Sequence, residues 1–314
     1  MLLESTSGMM SKSILTDLDL TDAELQQLFS LAAAQKAALR RGERLPQILQ
    51  GKTVGMLFEK PSLRTRVSFE VGVSQLGGHS IFLGAQEVQL GKREAIKDFA
   101  RVICRYVDLI VARVFKQEHL EEMARESRVP VINALSDYLH PCQALGDFLT
   151  IREHFGDWAG RKLAFVGDGN NVARSLALLA ARLGVRYVLA APEGYGFTED
   201  FLAWARQAGR NPEIAITHDP LAAVADADIV YTDVWTSMGQ EAEAETRRQR
   251  FRPFQVNAQL MTRARPEAIF MHCLPAHRGE EVTDEVMDGP HAVVYDQAEN
   301  RLHAQRALMT MLFQ

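Results

Sequence analysis

The sequence has 314 residues, a length that predicts roughly two domains of ordinary size. Hydrophobic residues make up 47% of the chain and charged residues 24%, as is usual for globular proteins, and the formal net charge is −5. This acidic balance argues against a nucleic-acid-binding protein with a broad basic face, so any anion site must be local. The three cysteines lack zinc-site spacing and predict a reduced, cytoplasmic protein.

The N-terminal residues show no apolar run typical of a signal peptide, and no stretch of about 18 apolar residues predicts a membrane span. The first predicted element is a helix. Thr21 and Glu24 have capping-box spacing and precede apolar residues at helical intervals, and the pattern ends near Gly42.

Short apolar runs then alternate with amphipathic segments. In the first half the predicted strands are 53–58, 80–83, 109–113 and 130–133, and the predicted helices are 65–76, 94–106, 118–125 and 141–155. In the second half the strands are 163–167, 187–191, 214–217, 229–232 and 268–272, and the main helices are 171–183, 198–208 and 302–313. This alternation predicts two α/β domains with mainly parallel sheets, and the segment GDWAGRK at 156–162 predicts the boundary between them. The charged run 241–250 is typical of a solvated helix or a mobile loop.

Ligands of parallel α/β sheets bind beyond the carboxyl ends of the strands, so polar residues at these ends are candidate site residues. Ser62, Arg64, Thr65 and Arg66 follow the first predicted strand and precede a helix. Helix N–H groups and arginines together suit a phosphate group. The alternative is a surface turn with solvated arginines.

Two further groups follow strands of the first half. Arg113 ends the run LIVAR, where it is either a ligand-binding residue or one partner of a salt bridge. His140 and Gln143 flank the start of a helix and could face one ligand oxygen, although His140 could equally be the N-cap.

In the second half, VGDGNNV at 166–172 resembles a dinucleotide-binding turn, but Val172 stands where a third glycine should be. Asn171 could bind a carboxylate or merely cap the helix. Asp233 and Ser237 could hold an amino-acid head group or form a local turn. Cys273 could be a nucleophile, a small binding group or an inert buried thiol.

The order of these motifs is more specific than any one of them. Over about residues 20–312 the chain resembles the aspartate/ornithine carbamoyltransferase family, most closely its ornithine-specific members. The motifs that carry the resemblance are Ser-x-Arg-Thr-Arg, Ala-Arg-Val, His-Pro-x-Gln, Gly-Asp-x-Asn-Asn, Asp-x-x-x-Ser-Met-Gly, His-Cys-Leu-Pro and DQAENRLHAQ.

The resemblance implies roles for particular residues. Those matching the family's carbamoyl-phosphate contacts are Ser62, Leu63, Arg64, Thr65, Gln89, Arg113, His140, Gln143, Cys273, Leu274 and Arg301. Gln89 matches a loop residue that reaches a neighbouring subunit's site. Those matching the ornithine site are Asn171, Asp233, Ser237 and Met238.

The implied reaction transfers the carbamoyl group of carbamoyl phosphate to the δ-amine of ornithine, giving citrulline and phosphate, without metal or organic cofactor. Arg64, Arg113 and His140 are expected to polarise the carbonyl, while Asp233 and Cys273 orient and deprotonate the amine. The implied fold has domains at 1–153 and 154–297, with a C-terminal helix (298–314) that returns to the first domain. The implied assembly is a trimer, or a multiple of trimers, with sites at subunit boundaries.

Leu63 departs from the family pattern, which usually has threonine there. The change removes a hydroxyl but keeps the backbone N–H group. The acceptor could therefore be an acylated ornithine or putrescine, yet Asp233 suits a free α-ammonium group and Asn171 could meet a carboxylate. Aspartate would need extra cations, and none lies between Asp233 and Glu241. A non-catalytic relative and an NAD-dependent oxidoreductase are the alternatives from other classes.

Overall fold

The computed structural model describes residues 12–209, 212–237 and 239–314. The chain divides into two compact units, one formed by the chain up to Cys142 together with Leu302–Gln314, the other by Gln143–Arg301. Among the described residues, no helix has both the length and the apolar character that crossing a membrane requires.

The first unit is built on a four-stranded parallel sheet with strand order β2-β1-β3-β4. Its elements in chain order are α1 (Asp22–Arg40), β1 (Thr53–Phe58), α2 (Leu63–Gln75), β2 (His79–Gly84), α3 (Ala85–Val88), α4 (Ile96–Ile103), β3 (Leu109–Arg113), α5 (Gln117–Glu126), β4 (Val131–Leu135) and the start of α6 (Pro141–Phe155).

The second unit is built on a five-stranded parallel sheet with strand order β7-β6-β5-β8-β9. After α6 its elements are β5 (Lys162–Val166), α7 (Asn171–Leu183), β6 (Arg186–Ala190), α8 (Glu199–Gln207), β7 (Ile214–Thr217), α9 (Pro220–Val224), β8 (Ile229–Thr232), α10 (Ala244–Phe251), α11 (Ala258–Met261), β9 (Ile269–His272), α12 (Asp284–Met287) and α13 (Val294–Leu312). The last eleven residues of α13 belong to the first unit, since Leu302 begins its returning segment.

The predicted fold class is confirmed: each unit is a parallel sheet flanked by helices. The strands are found close to the predicted positions, and the inner ones match continuous apolar runs because strands covered on both faces bury their side chains. β1 shows this directly, since all its residues after Thr53 are buried. The edge strands β2 and β7 are only partly buried. The predicted capping box of α1 is also present, with Thr21 accepting from the Glu24 backbone and Glu24 accepting from the Thr21 backbone.

The C-terminal helix contacts the first unit, as the family resemblance implied. Arg306, which is fully buried, donates to the side-chain oxygens of Gln35 at 3.0 Å and Gln75 at 2.5 Å. Gln35 in turn donates to Thr310 at 2.9 Å. Gly72 of α2 lies so close to α13 that an added Cβ would sit 3.1 Å from the Met309 methyl group.

The last helix begins at Val294, earlier than the 302–313 predicted from apolar spacing. After Val294, which is buried in the apolar core, its first half buries mainly polar side chains, among them Gln297, Asn300 and Arg301. A helix whose hidden face is polar has no apolar stripe, so periodicity could not reveal it. The domain bounds 1–153 and 154–297 stay a prediction.

Candidate functional site

In the sheet of the first unit, the chain leaves β1 in one direction to form β2 and then returns to the other side of β1 as β3. Such a reversal leaves a crevice at the carboxyl ends of the two central strands. Phe58 and Arg113, the last residues of β1 and β3, lie side by side in register, and the Glu59 amide donates to the Arg113 carbonyl at 2.8 Å. The predicted anion-binding segment and Arg113 are therefore brought to one edge.

Ser62 is the N-cap of α2, a helix of 13 residues. Its hydroxyl oxygen accepts from the Thr65 amide at 3.4 Å and lies 3.0 Å from the Thr65 hydroxyl. Thr65 is fully buried, Arg64 is half-buried and the Leu63 side chain is 76% exposed. The free N–H groups of a helix start and the positive end of its dipole favour an anion here, and none of this depends on the Leu63 side chain.

Arg66 differs from Arg64 in its surroundings. It is exposed, pairs with Glu70 at 2.9 Å and stacks 3.9 Å from the Phe82 ring centroid. The surface-turn alternative therefore describes Arg66, whereas Arg64 is half-buried beside the capped helix start.

Arg113 and His140, which are 6% and 4% exposed, are placed by neighbouring strands. Arg113 pairs with Leu135 of β4 across a register shift, and His140 follows β4 and precedes α6. Gln89, in contrast, is exposed after the short helix α3, with a left-handed backbone (φ 45°) and its amide donating to the Gln86 carbonyl at 3.2 Å.

The sheet of the second unit has its own reversal, between β5 and β8. The two strand ends are joined by the Thr232 hydroxyl, which donates to the Val166 carbonyl at 2.6 Å. Gly169 in the following turn packs against backbone, because an added Cβ would lie 2.9 Å from the Gly196 carbonyl carbon. This glycine therefore allows the turn after β5 to pack closely against the backbone of Gly196.

Asp233 lies just beyond β8 and is 8% exposed. One carboxylate oxygen accepts from the Asn170 side chain at 2.7 Å, and the other accepts from the Cys273 thiol at 2.9 Å and the Val234 amide at 2.8 Å. Asn170, and not Asn171, is the N-cap of α7. Three strand ends, those of β5, β8 and β9, are thus joined through one carboxylate.

The environment of Cys273 keeps its thiol protonated. Burial raises the pKa of Cys273 well above its usual value, and the neighbouring charge of Asp233 raises it further. A thiolate is the nucleophilic form of cysteine, so this thiol is a hydrogen-bond donor to Asp233 and a poor nucleophile. The three cysteines form no disulfide.

The loop that carries Ser237 is held from behind by Arg247 of α10. The Arg247 guanidinium is 4% exposed, donates to the Trp235 carbonyl at 2.6 Å and forms an ion pair with Asp168. Burial raises the pKa of Asp168 to about 6 even though the Arg247 charge lowers it. The charged run 241–250 was expected to be solvated, and for Arg247 that expectation is wrong. Met238 lies outside the described residues.

Beyond β9, Leu274 has a left-handed backbone (φ 58°), which is supported by the buried residues His272 and Glu281. The Leu274 amide donates to His272 Nδ1 at 2.9 Å, so His272 carries its proton on Nε2, 3.2 Å from Glu281. Asp233, His272 and Cys273 are close enough to hold a metal ion, but their atoms are already engaged in these hydrogen bonds.

The predicted site residues divide between the two units. Ser62, Leu63, Arg64, Thr65, Gln89, Arg113 and His140 lie in the first unit, and Gln143, Asn171, Asp233, Ser237, Cys273, Leu274 and Arg301 lie in the second. No role was predicted for Arg247, or for Asp168 within the Gly-Asp-x-Asn-Asn motif, since no local pattern marks a buried ion pair between a helix and a loop.

Comparison with known proteins shows the family of the chain. Residues 12–153 match the family model described as aspartate/ornithine carbamoyltransferase, carbamoyl-P binding domain, and residues 159–312 match the Asp/Orn binding domain. The chain is 54% identical over 296 residues to an ornithine carbamoyltransferase of Thermococcus kodakarensis, covering 94% of each chain. It is 56% identical over 268 residues to an anabolic ornithine carbamoyltransferase of Pyrococcus furiosus, covering 85% of each. A solved structure of ornithine carbamoyltransferase from Pyrococcus furiosus has a TM-score of 0.92 at 51% identity and covers 97% of this chain and 98% of its own. The chain belongs to the aspartate/ornithine carbamoyltransferase family.

Proposed function

We propose that this protein transfers the carbamoyl group from carbamoyl phosphate to the δ-amine of L-ornithine, giving L-citrulline and phosphate for arginine biosynthesis. The observation that carries the proposal is the Asp233 carboxylate, which ties Asn170 and Cys273 together at the reversal of the second sheet. A carboxylate held in this way suits the free α-ammonium group of an amino acid.

Carbamoyl phosphate is proposed to bind through the edge of the first sheet. Its phosphate meets the capped start of α2 at Ser62, Leu63 and Thr65, with Arg64 adding charge. Arg113 and His140, both buried, meet the carbonyl oxygen. Buried donors aimed at an oxygen that gains negative charge stabilise a transition state more strongly than exposed donors do.

The remaining carbamoyl-phosphate contacts are proposed to come from the second unit, through Gln143, Cys273, Leu274 and Arg301. Ornithine is proposed to meet Asn171, Asp233, Ser237 and Met238. The δ-amine must lose a proton before it attacks, since alkyl amines have a pKa near about 10.4 by analogy with lysine. Asp233 and the Cys273 thiol orient that amine.

In the reaction the amine nitrogen forms a bond to the carbonyl carbon, and the carbon–oxygen bond to phosphate breaks. Phosphate leaves with the electron pair and takes up the proton that the attacking nitrogen loses, so that the products are citrulline and hydrogen phosphate. Arg64, Arg113 and His140 balance the charge that grows on the carbonyl and phosphate oxygens. Catalysis of this kind depends on position and electrostatics and needs no covalent intermediate. The raised pKa of Cys273 is consistent with a step that does not use it as a nucleophile.

We further propose a homotrimer, or a multiple of trimers, in the cytoplasm. Its support is Gln89, whose exposed position after α3 leaves it accessible to a neighbouring subunit. Sedimentation at several concentrations tests the assembly, and Gln89→Ala is expected to weaken carbamoyl-phosphate binding without changing the trimer.

The test of the activity is an acceptor screen. Purified protein and carbamoyl phosphate are mixed with ornithine, N-acetylornithine, putrescine or aspartate, and ureido product and phosphate are both quantified. Product from ornithine alone is expected. Product from a different amine would keep the anion site and replace the acceptor, and absence of product in a folded protein would refute the activity.

Asp233→Asn provides the matched test of the head-group site, and Asp219→Asn provides its control. Asp219 also accepts backbone hydrogen bonds in the second unit, as N-cap of α9, but is exposed at the surface. We expect Asp233→Asn to lower kcat/KM for ornithine by at least about tenfold, the loss of one charge-assisted contact. Asp219→Asn is expected to leave kcat/KM unchanged.

A further inference from the structure

A buried polar cluster lies in the second unit, and the proposed mechanism leaves most of it unused. Its centre is Asp147 of α6, which is fully buried. The side-chain amides of Gln143 and Gln297 donate to one of its oxygens, at 2.9 and 2.7 Å, and the Tyr231 hydroxyl donates to the other at 3.0 Å. The carboxylate thus faces three donors and joins α6, β8 and α13.

The orientation of Gln297 in this cluster is determined by chemistry. Its side-chain oxygen accepts from the His272 backbone amide at 2.9 Å, and a backbone N–H group can only donate. The Gln297 nitrogen must therefore face Asp147. The His272 amide at the end of β9 therefore determines which atom of Gln297 contacts Asp147, independently of Gln143.

The same argument determines the orientation of Gln143. An ionised carboxylate accepts hydrogen bonds and donates none, so Gln143 must present its N–H2 group to Asp147. Its amide oxygen then points away from the carboxylate. Oxygen and nitrogen of a glutamine amide are otherwise hard to tell apart, so the charge of Asp147 decides which atom is offered to a ligand. Gln143 is 1% exposed and cannot exchange this partner for bulk water.

Asp147 titrates close to neutral pH, so its ionised form prevails above about pH 7. Burial raises the pKa of Asp147 to about 7, while the three hydrogen bonds and the positive charge of Arg301 act to lower it. The two glutamine amides that donate to Asp147 match its charged state, while the Tyr231 hydroxyl, which itself accepts from Gln297 at 3.0 Å, can either donate to the carboxylate or accept from the protonated acid.

We propose that Asp147 is a positioning residue that makes the site select carbamoyl phosphate over acyl phosphates that lack an amino group. It does so by holding Gln143 with its amide oxygen toward the substrate. This inference rests on the proposed function, in which Gln143 contacts the carbamoyl group.

The chemical basis is the difference between two nearly isosteric groups. A carbamoyl group has N–H2 where an acetyl group has a methyl group. The Gln143 oxygen can accept from the N–H2 group, whereas against a methyl group this buried oxygen remains without a donor. If the amide were reversed, its N–H2 group would face the N–H2 of the substrate and the preference would disappear. One hydrogen bond of this kind is expected to give a preference of about tenfold.

The experiment measures the dissociation constants of carbamoyl phosphate and acetyl phosphate for the full-length protein by calorimetry. In Asp147→Ala, carbamoyl phosphate is expected to bind about tenfold more weakly, while acetyl phosphate changes by less than about twofold. Asp147→Asn keeps one acceptor oxygen for the two glutamines and is expected to retain most of the preference. Equal weakening of both ligands in Asp147→Ala would show a merely structural role and overturn the inference.

Thr150→Val is the matched control, one turn further along α6. It removes another buried contact between α6 and α13, the Asn300 amide to Thr150 hydroxyl bond at 2.9 Å, without touching Asp147. Both dissociation constants are expected to stay within about twofold of the unmodified protein, because neither Gln143 nor Asp147 changes.

Gln143→Met keeps the test decisive if Asp147→Ala does not fold, because it leaves Asp147 and its other two partners in place. It is expected to lose the same preference, and an unchanged preference in Gln143→Met overturns the inference. Citrulline formation by the unmodified protein is assayed in parallel. Its absence would refute the proposed function, whereas an active protein with an unchanged preference in both variants would refute the roles of Gln143 and Asp147 in this preference and leave the proposed activity standing.

Discussion

Replacement of Arg247 by methionine is the perturbation for which the structure gives the clearest magnitude. The Arg247 side chain is 4% exposed and its partner Asp168 is 13% exposed. The guanidinium also donates to the Trp235 carbonyl and lies 5.0 Å from the Tyr195 ring centroid. Methionine keeps much of the apolar length of arginine but provides neither the charge nor the donors.

The expected loss is about 3–5 kcal/mol in the free energy of unfolding, the usual effect of leaving one partner of a buried ion pair alone. The pKa of Asp168 shows that its ionised form is already disfavoured by burial in the unmodified protein. Its value of about 6, against 3.8 for an ordinary aspartate, corresponds to about 3 kcal/mol against the ionised form even with Arg247 present. Removing Arg247 raises the pKa of Asp168 further, so the penalty at pH 8 grows.

The pH dependence has a definite sign. Because the folded-state pKa of Asp168 lies above its unfolded value, folding takes up a proton between about pH 4 and pH 6, and stability falls as the pH rises through that window. In Arg247→Met the window extends to higher pH. The cost of the substitution should therefore be larger at pH 8 than at pH 5.5, where Asp168 can be neutral in the folded variant.

Urea unfolding at these two pH values, followed by tryptophan fluorescence, measures the effect. Arg248→Met is the control, since Arg248 is on the same helix, is 50% exposed and pairs with Glu245 and Glu280 at the surface. Its cost should be below about 1 kcal/mol. Adding Asp168→Asn to Arg247→Met should recover part of the stability. An Arg247→Met cost equal to that of Arg248→Met, or equal at both pH values, would refute the reasoning.

Three further predictions test the site. Because burial and Asp233 raise the pKa of Cys273, this thiol should react with iodoacetamide at pH 8 at least about tenfold more slowly than free cysteine does. Mass spectrometry of the modified peptide measures the rate, and fast modification would contradict a neutral thiol. Asn170→Ala removes both the cap of α7 and a donor to Asp233. It should lower the free energy of unfolding by about 1–2 kcal/mol, measured by thermal unfolding, and raise the KM for ornithine. An unchanged KM would contradict the proposal that Asn170 positions Asp233 for ornithine. Ser62→Ala should weaken inhibition by phosphate several-fold and lower the free energy of unfolding, because it removes the cap of α2. Thr21→Ala removes the cap of α1 instead, so it should lower the free energy of unfolding by a similar amount and leave phosphate inhibition unchanged.

The strand ends could be predicted well from the sequence, whereas the buried polar residues on helices could not. β1, β3 and β8 begin and end where predicted, because a parallel strand covered on both faces is a short apolar run that stops where the sheet edge meets water. The polar residue after such a run is conspicuous, and Asp233 was found for that reason. The edge strand β7 also has the predicted bounds, although it is only partly buried.

The buried polar groups on helices left no comparable signal. Polar residues are common on helices, and nothing local distinguishes a solvated side chain from one that pairs across the fold. Arg247 and Arg248 are neighbours in one charged run, yet the first is buried against Asp168 and the second is half exposed. Asp147 stands in an ordinary helical pattern, and only the packing of β8 and α13 encloses it.

The residues at strand ends and the buried polar residues on helices also have different proposed tasks. In each sheet the chain reverses beside one central strand, so that residues distant in sequence, such as Phe58 and Arg113, end at one edge. The strand ends supply the groups proposed to meet substrate. They lie at the last residue of a strand, in the loop that follows it or in the first turn of the next helix, where side chains need anchoring partners of their own. Asp147 anchors Gln143 in this sense, and Arg247 anchors the loop of Trp235. Variants of the strand-end groups should therefore abolish turnover with little change in stability, whereas variants of the helix-borne anchors should change stability and substrate preference together.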